Sequence, residues 1–512
     1  MSAHLRPNPA HARPDPAHAR PLPAIVPRPQ RLRQLPGRFT FDEATALRLA
    51  PGTGQAAALL RELLAPATGL PLPAHPDGRF VLALDPALTG LGTEGYGLTV
   101  GPDAVLLRAA QPEGLLRGVQ TLRQLLPPEA LSDTPVRGTD WSVPCVQITD
   151  APRFAWRGAM LDTARHFQPV SFLHRYVDLL ALHKLNVLHL HLTDDQGWRM
   201  PVAAYPKLTG TGGLPHGGAY TRKELSGLVA HAAARGVTVV PEIEMPGHVR
   251  AALAAYPHLG NNPGRRLGVW RQWGVCDTVL GVHDEVLDFC RTVLDEVMDT
   301  FPGRHVHIGG EECPTSEWER SPAAVRRAAE EGLDGPKALH GWFMHRIGAH
   351  LTAAGRTPLG WTETGDDLPA GFTVLPWRDA GHGLAAARRG HDVIMAPHRS
   401  TYLDYPQSDD PAEPPGQPGG IVDLRTVYET EPAPDDWDPE AAARVLGTQA
   451  QLWTEYVPTP AHAEYLSFPR LCALAETAWS GHRDWPGFQE RLHHHRIRLD
   501  TLGVPRRPPT SA

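Results

Sequence analysis

Acidic and aromatic side chains recur directly after short apolar runs in the second half of the sequence. They stand in the segments DTARH (162–166), DDQGW (194–198), EIEMPGH (242–248), GGEE (309–312), WTE (361–363), WRD (377–379), YLDY (402–405) and WTE (453–455). Carboxylates and arginine bind hydroxyl groups through charge-assisted hydrogen bonds, and an aromatic ring packs on the apolar face of a pyranose. This interleaving indicates a sugar-binding pocket.

Each of these groups also has a purely structural interpretation. A tryptophan at a strand end often packs a barrel, and the adjacent acids Asp194 and Asp195 could cap a helix or a tight turn. Three tryptophans that each stand beside a carboxylate favour a ligand platform instead: Trp361, Trp377 and Trp453.

The two glycines before Glu311 could form only a bend, but they also suit a binding site. Glycine lets the backbone approach a ligand closely, whereas a regular strand aims adjacent side chains at opposite faces. We therefore expect Gly309 and Gly310 to bring Glu311 and Glu312 into one cavity.

A metal hydrolase is the enzymatic alternative, because His189 and His191 resemble the paired ligands of some metal-dependent barrels. Alternation along a strand puts both side chains on one face. The leucine-rich flanks and the missing later His and Asp ligands favour core or supporting histidines. The run 493–495 (HHH) lies in a charged, helical stretch and predicts a solvated face. We predict neither a metal nor another cofactor.

The elements that must position these groups alternate between apolar runs and amphipathic helices, which is typical of a parallel sheet with crossover helices. Eight runs span residues 158–162, 187–192, 237–243, 306–308, 357–361, 373–377, 393–396 and 445–451. Helices are predicted over 171–184, over 221–235 with a capping box from Thr221 to Glu224, and over 284–301. Eight strands close a (β/α)8 TIM barrel, so we predict an α/β barrel over residues 148–505 with its site at the carboxyl ends of the strands.

The preceding part divides into two segments. Residues 31–147 mix short strands (FVLAL, GLTV, AVLLRA) with two helical stretches and predict a small α+β domain that is not catalytic. Residues 1–30 are rich in Pro, His and Arg, a composition that predicts a disordered tail.

Composition excludes several classes of function. The 512 residues are 41% apolar, and 49 Lys and Arg stand against 56 Asp and Glu, so no basic surface favours nucleic acid or anionic lipid. No stretch approaches the roughly 20 apolar residues of a membrane helix, and the N-terminus lacks the apolar core of a secretory signal, so we expect a cytoplasmic protein. The five scattered cysteines are expected to be free thiols: Cys145, Cys276, Cys290, Cys313 and Cys472.

In this order, the segments RGAMLDTARHF, KLNVLHLHLTDDQGWR, VVPEIEMPGH, HVHIGGEE, YLDY and LWTE resemble family 20 glycoside hydrolases, the β-N-acetylhexosaminidases. The resemblance runs from about Trp156 to Trp479, and the α+β segment resembles the small domain that commonly leads this barrel. It implies an exo-acting, retaining hydrolase for terminal β-linked GlcNAc or GalNAc. Chitin-derived disaccharides and cell-wall fragments are the substrates that the family suggests.

The resemblance implies substrate-assisted catalysis, in which the C2 acetamido group of the sugar is the nucleophile. Glu312 would be the general acid/base, and we expect burial and the adjacent acid to raise its pKa. Glu311 would orient the acetamido N–H, and Tyr402 would donate a hydrogen bond to the acetamido oxygen.

The same resemblance assigns the remaining pocket residues. Arg165 would bind O3 and O4, Glu455 would bind O4 and O6, and Asp404 would add another hydroxyl contact. The tryptophans at 361, 377 and 453 would form the walls, while Asp194 and His248 would support the acid.

Two departures from the family pattern leave a second function open. The family usually has Asp where this chain has Glu311, and often Asp where it has Glu244. An extra methylene moves a carboxylate by about 1 Å, which can cost on the order of 100-fold in rate. The alternative is therefore a sugar-binding homologue with weakened catalysis, or a glycosidase with an altered substrate. The segment 406–436 also lacks the pocket tryptophan that many members supply, which leaves the aglycone side less defined.

Overall fold

The segment before the barrel folds as one mixed sheet with two helices against it. The computed structural model describes residues 22–213 and 217–508. The strands of this domain are β1 (Arg31–Thr40), β2 (Leu47–Leu49), β3 (Phe80–Leu84), β4 (Tyr96–Val100), β5 (Val105–Ala109) and β6 (Ser142–Asp150), in the sheet order β1-β6-β4-β5-β3-β2. Helices α1 (Gly54–Thr68) and α2 (Pro112–Leu125) bury Leu60, Leu116 and Val119 against it. The predicted α+β domain is confirmed.

The N-terminal boundary differs from the prediction. Residues 1–21 lie outside the described residues, but Ile25 and Val26 are 0% exposed, and Val26 exchanges two hydrogen bonds with the side chain of Gln124. The prediction of a disordered tail is therefore wrong for residues 22–30, because two apolar side chains among the prolines pack against the domain. The predicted boundary between residues 147 and 148 falls inside β6, so the division lies after Asp150.

Beyond Asp150, eight parallel strands close into a barrel. The strands of this domain are β7 (Trp156–Asp162), β8 (Val187–His191), the small pair β9 (Thr193–Asp194) and β10 (Gly197–Trp198), β11 (Thr238–Glu242), β12 (His305–His307), β13 (Thr357–Thr362), β14 (Thr373–Pro376), β15 (Asp392–Met395) and β16 (Val445–Leu452). β16 pairs with β7 and closes the ring. All eight predicted runs are barrel strands, with ends shifted by one or two residues.

The helices surround this barrel on the outside. They are α3 (Val170–Leu182), α4 (Lys207–Gly212), α5 (Arg222–Ala234), α6 (Arg250–Ala255), α7 (Asp284–Thr300), α8 (Ser316–Arg320), α9 (Pro322–Glu330), α10 (Leu339–Ala353), α11 (Ala380–Arg388), α12 (His398–Thr401), α13 (Leu424–Glu429), α14 (Pro439–Ala442), α15 (Pro460–Ser467), α16 (Arg470–Trp479) and α17 (Trp485–Thr501). The capping box of Thr221 and Glu224 is present at α5. The connection from β13 to β14 contains no helix.

A buried polar cluster joins the two domains. Asp150, at the end of β6, accepts hydrogen bonds from Lys184 Nζ (2.7 Å), Trp479 Nε1 (2.9 Å) and Tyr96 Oη (2.7 Å). Lys184 lies just before β8, so the N-terminal domain contacts the amino ends of the barrel strands. In TIM barrels that end serves stability, and the carboxyl ends carry the site.

All five cysteines are free thiols, as predicted. Among the described residues, no helix combines the length and the apolar character that crossing a bilayer requires.

Candidate active site

A cavity of about 240 Å³ opens at the carboxyl ends of the barrel strands. Ten of the eleven predicted site residues line it: Arg165, His248, Glu311, Glu312, Trp361, Trp377, Tyr402, Asp404, Trp453 and Glu455. The eleventh, Asp194, is buried at 1% exposure behind His248 and Arg165. The carboxyl end of the barrel therefore brings these scattered sequence segments together.

Aromatic rings form the walls of the cavity. Trp361 and Trp453 lie 5.9 Å apart between ring centroids, and Tyr402 lies 6.3 Å from Trp453. Trp377 stacks on Tyr402 at 6.4 Å with an interplanar angle of 22°. These contacts form a concave aromatic wall, which suits the faces of a sugar ring.

A left-handed turn after β12 aims both adjacent acids into this cavity. Gly309 and Gly310 have φ angles of 64° and 103°, and Glu312 itself has a φ of 46°. A Cβ atom on Gly309 would lie 1.7 Å from Glu244 Oε2, and a side chain is disfavoured at this φ, so glycine suits this approach on both counts. The non-glycine left-handed backbone at Glu312 is strained, a feature that concentrates at functional sites.

Three ionisable groups form a series from the protein interior to the cavity, in the order Asp194, His248 and Glu312. His248 Nδ1 donates to Asp194 Oδ1 at 3.2 Å, and His248 Nε2 lies 3.5 Å from Glu312 Oε2. Burial alone would lower the pKa of His248, but the charge and hydrogen bond of Asp194 raise that pKa well above its usual value. His248 is therefore an imidazolium that faces Glu312.

This imidazolium reverses one expectation from the sequence. Burial raises the pKa of Glu312, but the close contact with His248 and the charge of that residue outweigh burial and lower the pKa below its usual value. The prediction of a raised pKa is wrong for Glu312, because it omitted the cation 3.5 Å away. Burial instead raises the pKa of the neighbouring Glu311, to about 8.

Glu311 and Glu244 form a buried pair of carboxyl groups that act on each other's pKa. Burial and the charge of Glu311 raise the pKa of Glu244 well above its usual value. The two positions at which this chain has Glu and the family favours Asp are therefore in contact, and the pair holds a proton at neutral pH.

Polar groups with unused hydrogen-bonding capacity lie on the other side of the cavity. Arg165 Nη2 contacts Asp194 Oδ2 at 2.8 Å, while Arg165 Nη1 has no hydrogen-bond partner in the described part of the chain. Asp404 Oδ1 is likewise buried without one, and burial and the charge of Glu455 raise the pKa of Asp404. Sugar hydroxyls both donate and accept, so a sugar here would satisfy these groups.

Asp162 positions two strand ends at once. Its Oδ1 accepts from the backbone N–H groups of Ala164 and Arg165, and its Oδ2 accepts from the backbone and hydroxyl of Thr454. Trp453 and Glu455 flank that threonine, so one buried carboxylate fixes both sides of this corner.

His189 and His191 lie inside the barrel and do not line the cavity. His189 Nδ1 accepts from Gln449 Nε2 at 2.9 Å, so its Nε2–H faces Glu242 Oε2 at 3.1 Å. His191 donates from both nitrogens, to Glu242 and to Asp194. Hydrogen bonds therefore account for the whole His191 ring, and both histidines are buried, in line with the core or supporting role predicted for them.

Seven further residues of the cavity lining were not predicted: Trp273, Gly274, Val275, His398, Tyr405, Gln417 and Tyr456. Trp273 and Val275 belong to the long segment between α6 and α7, which follows no strand directly. Trp273 lies 5.6 Å from the His166 ring. The only signal for this segment was the aromatic pattern WRQWG (270–274). Gln417 comes from the segment that lacks tryptophan.

Comparison with known families matches nearly the whole chain. The model described as "Glycosyl hydrolase family 20, catalytic domain" matches residues 154–482, and "Glycosyl hydrolase family 20, domain 2" matches residues 22–151. These two ranges coincide with the barrel and with the α+β domain.

Relatives and solved structures agree with this match. A β-N-acetylhexosaminidase of Cellulomonas fimi is 35% identical over 94% of this chain and 95% of its own length. A β-hexosaminidase of Porphyromonas gingivalis is 37% identical over 94% of this chain, which spans 64% of that protein's length. The structure of a Streptomyces plicatus N-acetyl-β-hexosaminidase in complex with Thio-NAglucal has a TM-score of 0.85 at 34% identity and covers 96% of this chain and 97% of its own. The chain therefore belongs to glycosyl hydrolase family 20 and is a glycoside hydrolase of the β-N-acetylhexosaminidase type.

Proposed function

We propose that this enzyme is a retaining exo-β-N-acetylhexosaminidase in which Glu312 is the general acid/base and the substrate's acetamido group is the nucleophile. The observation that supports this most is the turn at Gly309, which aims Glu311 and Glu312 into one aromatic cavity. A cavity of about 240 Å³ is on the scale of one N-acetylated sugar, as an exo-acting enzyme requires. Terminal β-linked GlcNAc and GalNAc are the proposed substrates.

The reaction has two steps. In the first, the acetamido carbonyl oxygen attacks C1, the bond between C1 and the leaving oxygen breaks, and the Glu312 carboxyl group gives its proton to that oxygen. In the second, the Glu312 carboxylate takes a proton from water, the water oxygen bonds to C1, and the oxazolinium ring opens. Two displacements at C1 retain its configuration.

Glu311 and Tyr402 guide the nucleophile in this proposal. In the pair of Glu311 and Glu244 the proton lies on Glu244, whose pKa is raised well above its usual value. The Glu311 carboxylate then accepts the acetamido N–H and stabilises the positive charge of the oxazolinium ion. Tyr402, which is buried at 8% exposure in the cavity wall, donates to the acetamido oxygen. Trp361, Trp377 and Trp453 enclose the acetamido methyl group and the ring.

Arg165, Asp404 and Glu455 bind the sugar hydroxyls, and the unused hydrogen-bonding capacity of Arg165 and Asp404 supports this. Asp194 and His248 support the acid. A bound sugar also covers the exposed 29% of the Glu312 side chain. Lost hydration raises the pKa of a carboxyl group, so we expect Glu312 to take up a proton as substrate binds.

Release of nitrophenol from the β-nitrophenyl glycosides of GlcNAc, GalNAc and glucose tests the proposal, with EDTA present and Glu312→Gln measured beside the wild type. We expect release from the N-acetyl sugars only, and a loss of at least about 100-fold in the variant, the usual contribution of general acid catalysis. Silence of a folded wild type on all three substrates would favour the weakened sugar-binding homologue. Glu311→Asp is then the variant expected to restore activity, since it shortens the carboxylate that departs from the family pattern.

A further inference from the structure

His191 and Glu242 form a buried ion pair directly behind the cavity. His191 ends β8, Glu242 ends the neighbouring β11, and the two residues face each other in the register of the sheet. Both are 0% exposed. Because neither residue lines the cavity, contact with a substrate does not account for them.

Both ring nitrogens of His191 make hydrogen bonds to carboxylates. Nδ1 donates to Glu242 Oε2 at 2.6 Å, and Nε2 donates to Asp194 Oδ2 at 3.0 Å. An imidazole that donates from both nitrogens is the cationic form. The geometry therefore places a positive charge between Glu242 and the residue that supports the acid.

The surroundings of this ring favour the same charge. The ionisable groups that act on it are Glu242, Asp194, Glu244, Asp162 and His189. Burial alone would lower the pKa of His191, but the charge of Glu242 and the two hydrogen bonds raise it to about 10. The edge of the ring also meets Trp453, with centroids 4.9 Å apart.

The two carboxylates connect this cation to opposite parts of the reaction. Glu242 Oε1 accepts from the indole Nε1 of Trp361 at 2.7 Å, and Trp361 is a wall of the cavity. Asp194 accepts from His248, which faces Glu312. A continuous series of contacts therefore runs from the aromatic wall to the general acid.

We propose that His191 and Glu242 are positioning residues that hold Trp361 and Asp194 in fixed register. This inference rests on the proposed function, in which the acetamido oxygen and the acid act on the same C1–O bond. A displacement of about 1 Å between such groups can cost on the order of 100-fold in rate. A buried pair that ties both groups to adjacent strands prevents that displacement.

Three single variants separate positioning from stability. His191→Phe removes both donors and the charge but keeps a ring. His191→Gln keeps one donor that can reach Asp194. Val187→Ala is the matched control, because Val187 lies on the same strand and the same interior face, four residues from His191. The readouts are kcat, KM and the pH dependence of kcat/KM on the β-nitrophenyl glycoside of GlcNAc.

For His191→Phe we expect kcat to fall by at least about 100-fold, with a smaller change in KM. Loss of a positive charge raises the pKa of nearby carboxyl groups, so the alkaline limb of kcat/KM should move to higher pH. His191→Gln should recover at least about 10-fold in kcat and keep the shifted limb. Val187→Ala should lower the midpoint of thermal unfolding and leave the alkaline limb of kcat/KM at its wild-type pH.

Combination with Asp194→Asn completes the test. If His191 acts through Asp194, the double variant should be little slower than the slower single variant, because residues that act as a unit are not additive. Additive losses, or a His191→Phe variant that matches Val187→Ala in rate and pH profile, would overturn the proposal. If His191→Phe fails to fold, an unshifted limb in His191→Gln overturns it equally. Absence of hydrolysis by the wild type contradicts the proposed function itself. If the wild type is active but the variants show additive losses or an unshifted alkaline limb, only the positioning role is contradicted.

Discussion

Single residues of the cavity could be predicted from the sequence wherever they lie at, or within a few residues of, the carboxyl end of a strand. Glu312, Trp361 and Trp453 do so, and the barrel brings them together. The protonation state of Glu312 could not be predicted, because it depends on a cation that is distant in sequence and 3.5 Å away in space. His248 was predicted to support the acid, but its charge follows only from the contact with Asp194.

Replacement of His248 tests this electrostatic account. The positive charge of His248 lowers the pKa of Glu312, so His248→Gln should raise that pKa. An acid with a higher pKa stays protonated to higher pH, and we expect the alkaline limb of kcat/KM to move up by about one pH unit or more. His398→Gln is the control, since His398 lines the same cavity and contacts Tyr405. A limb that stays in place or moves down in His248→Gln would contradict the account.

At the scale of elements, the periodic strands could be predicted and the irregular connections could not. Each barrel strand is a short apolar run, and its end is fixed by pairing with its neighbours. The segment between α6 and α7 has no such period, so its contribution of Trp273 and Val275 to the cavity was missed. The turn after β12 was visible only through its two glycines.

Gly309→Ala tests the importance of that turn. The new Cβ atom would lie 1.7 Å from Glu244 Oε2. The alanine would also have to adopt the left-handed φ of 64° that Gly309 has. We expect at least about 100-fold lower kcat/KM from displaced carboxylates. Gly332→Ala is matched in backbone, because Gly332 has a φ of 67° and open space around it. It should cost about 1 kcal/mol of unfolding free energy and keep full activity. Equal activity in the two variants would show that the close approach is unimportant.

At the scale of the whole molecule, the sequence predicted two domains and their fold classes but not how they join. The contact depends on Asp150, Lys184 and Trp479, which are far apart in the sequence and meet in a buried cluster. Residues 493–495 show the same limitation: His493 and His494 are exposed as predicted, but His495 is buried against His183, with their Nε2 atoms 2.8 Å apart. The prediction of a solvated face is wrong for His495, because this residue turns inward and contacts His183, which follows α3.

This buried pair predicts acid lability. Burial lowers the pKa of His183 to about 4 and lowers the pKa of His495 as well, so both are neutral when folded. Unfolding lets them bind protons, so stability is complete above about pH 6.5 and falls toward pH 4, by about 1.4 kcal/mol per pH unit for each proton. The thermal midpoint followed across this range should fall less steeply in His495→Gln than in the wild type or in His494→Gln, the exposed neighbour. Identical slopes in all three would rule this source out.

The most direct test of substrate-assisted catalysis varies the nucleophile in the substrate. Nitrophenyl β-glycosides of glucosamine with acetyl, fluoroacetyl, difluoroacetyl and trifluoroacetyl groups differ little in size, but each fluorine weakens the carbonyl oxygen as a nucleophile. If that oxygen attacks C1, kcat/KM should fall stepwise, by about 100-fold or more over the series, which is nearly 3 kcal/mol in the barrier. A flat series would contradict the account, because it would mean that a group of the protein performs the attack.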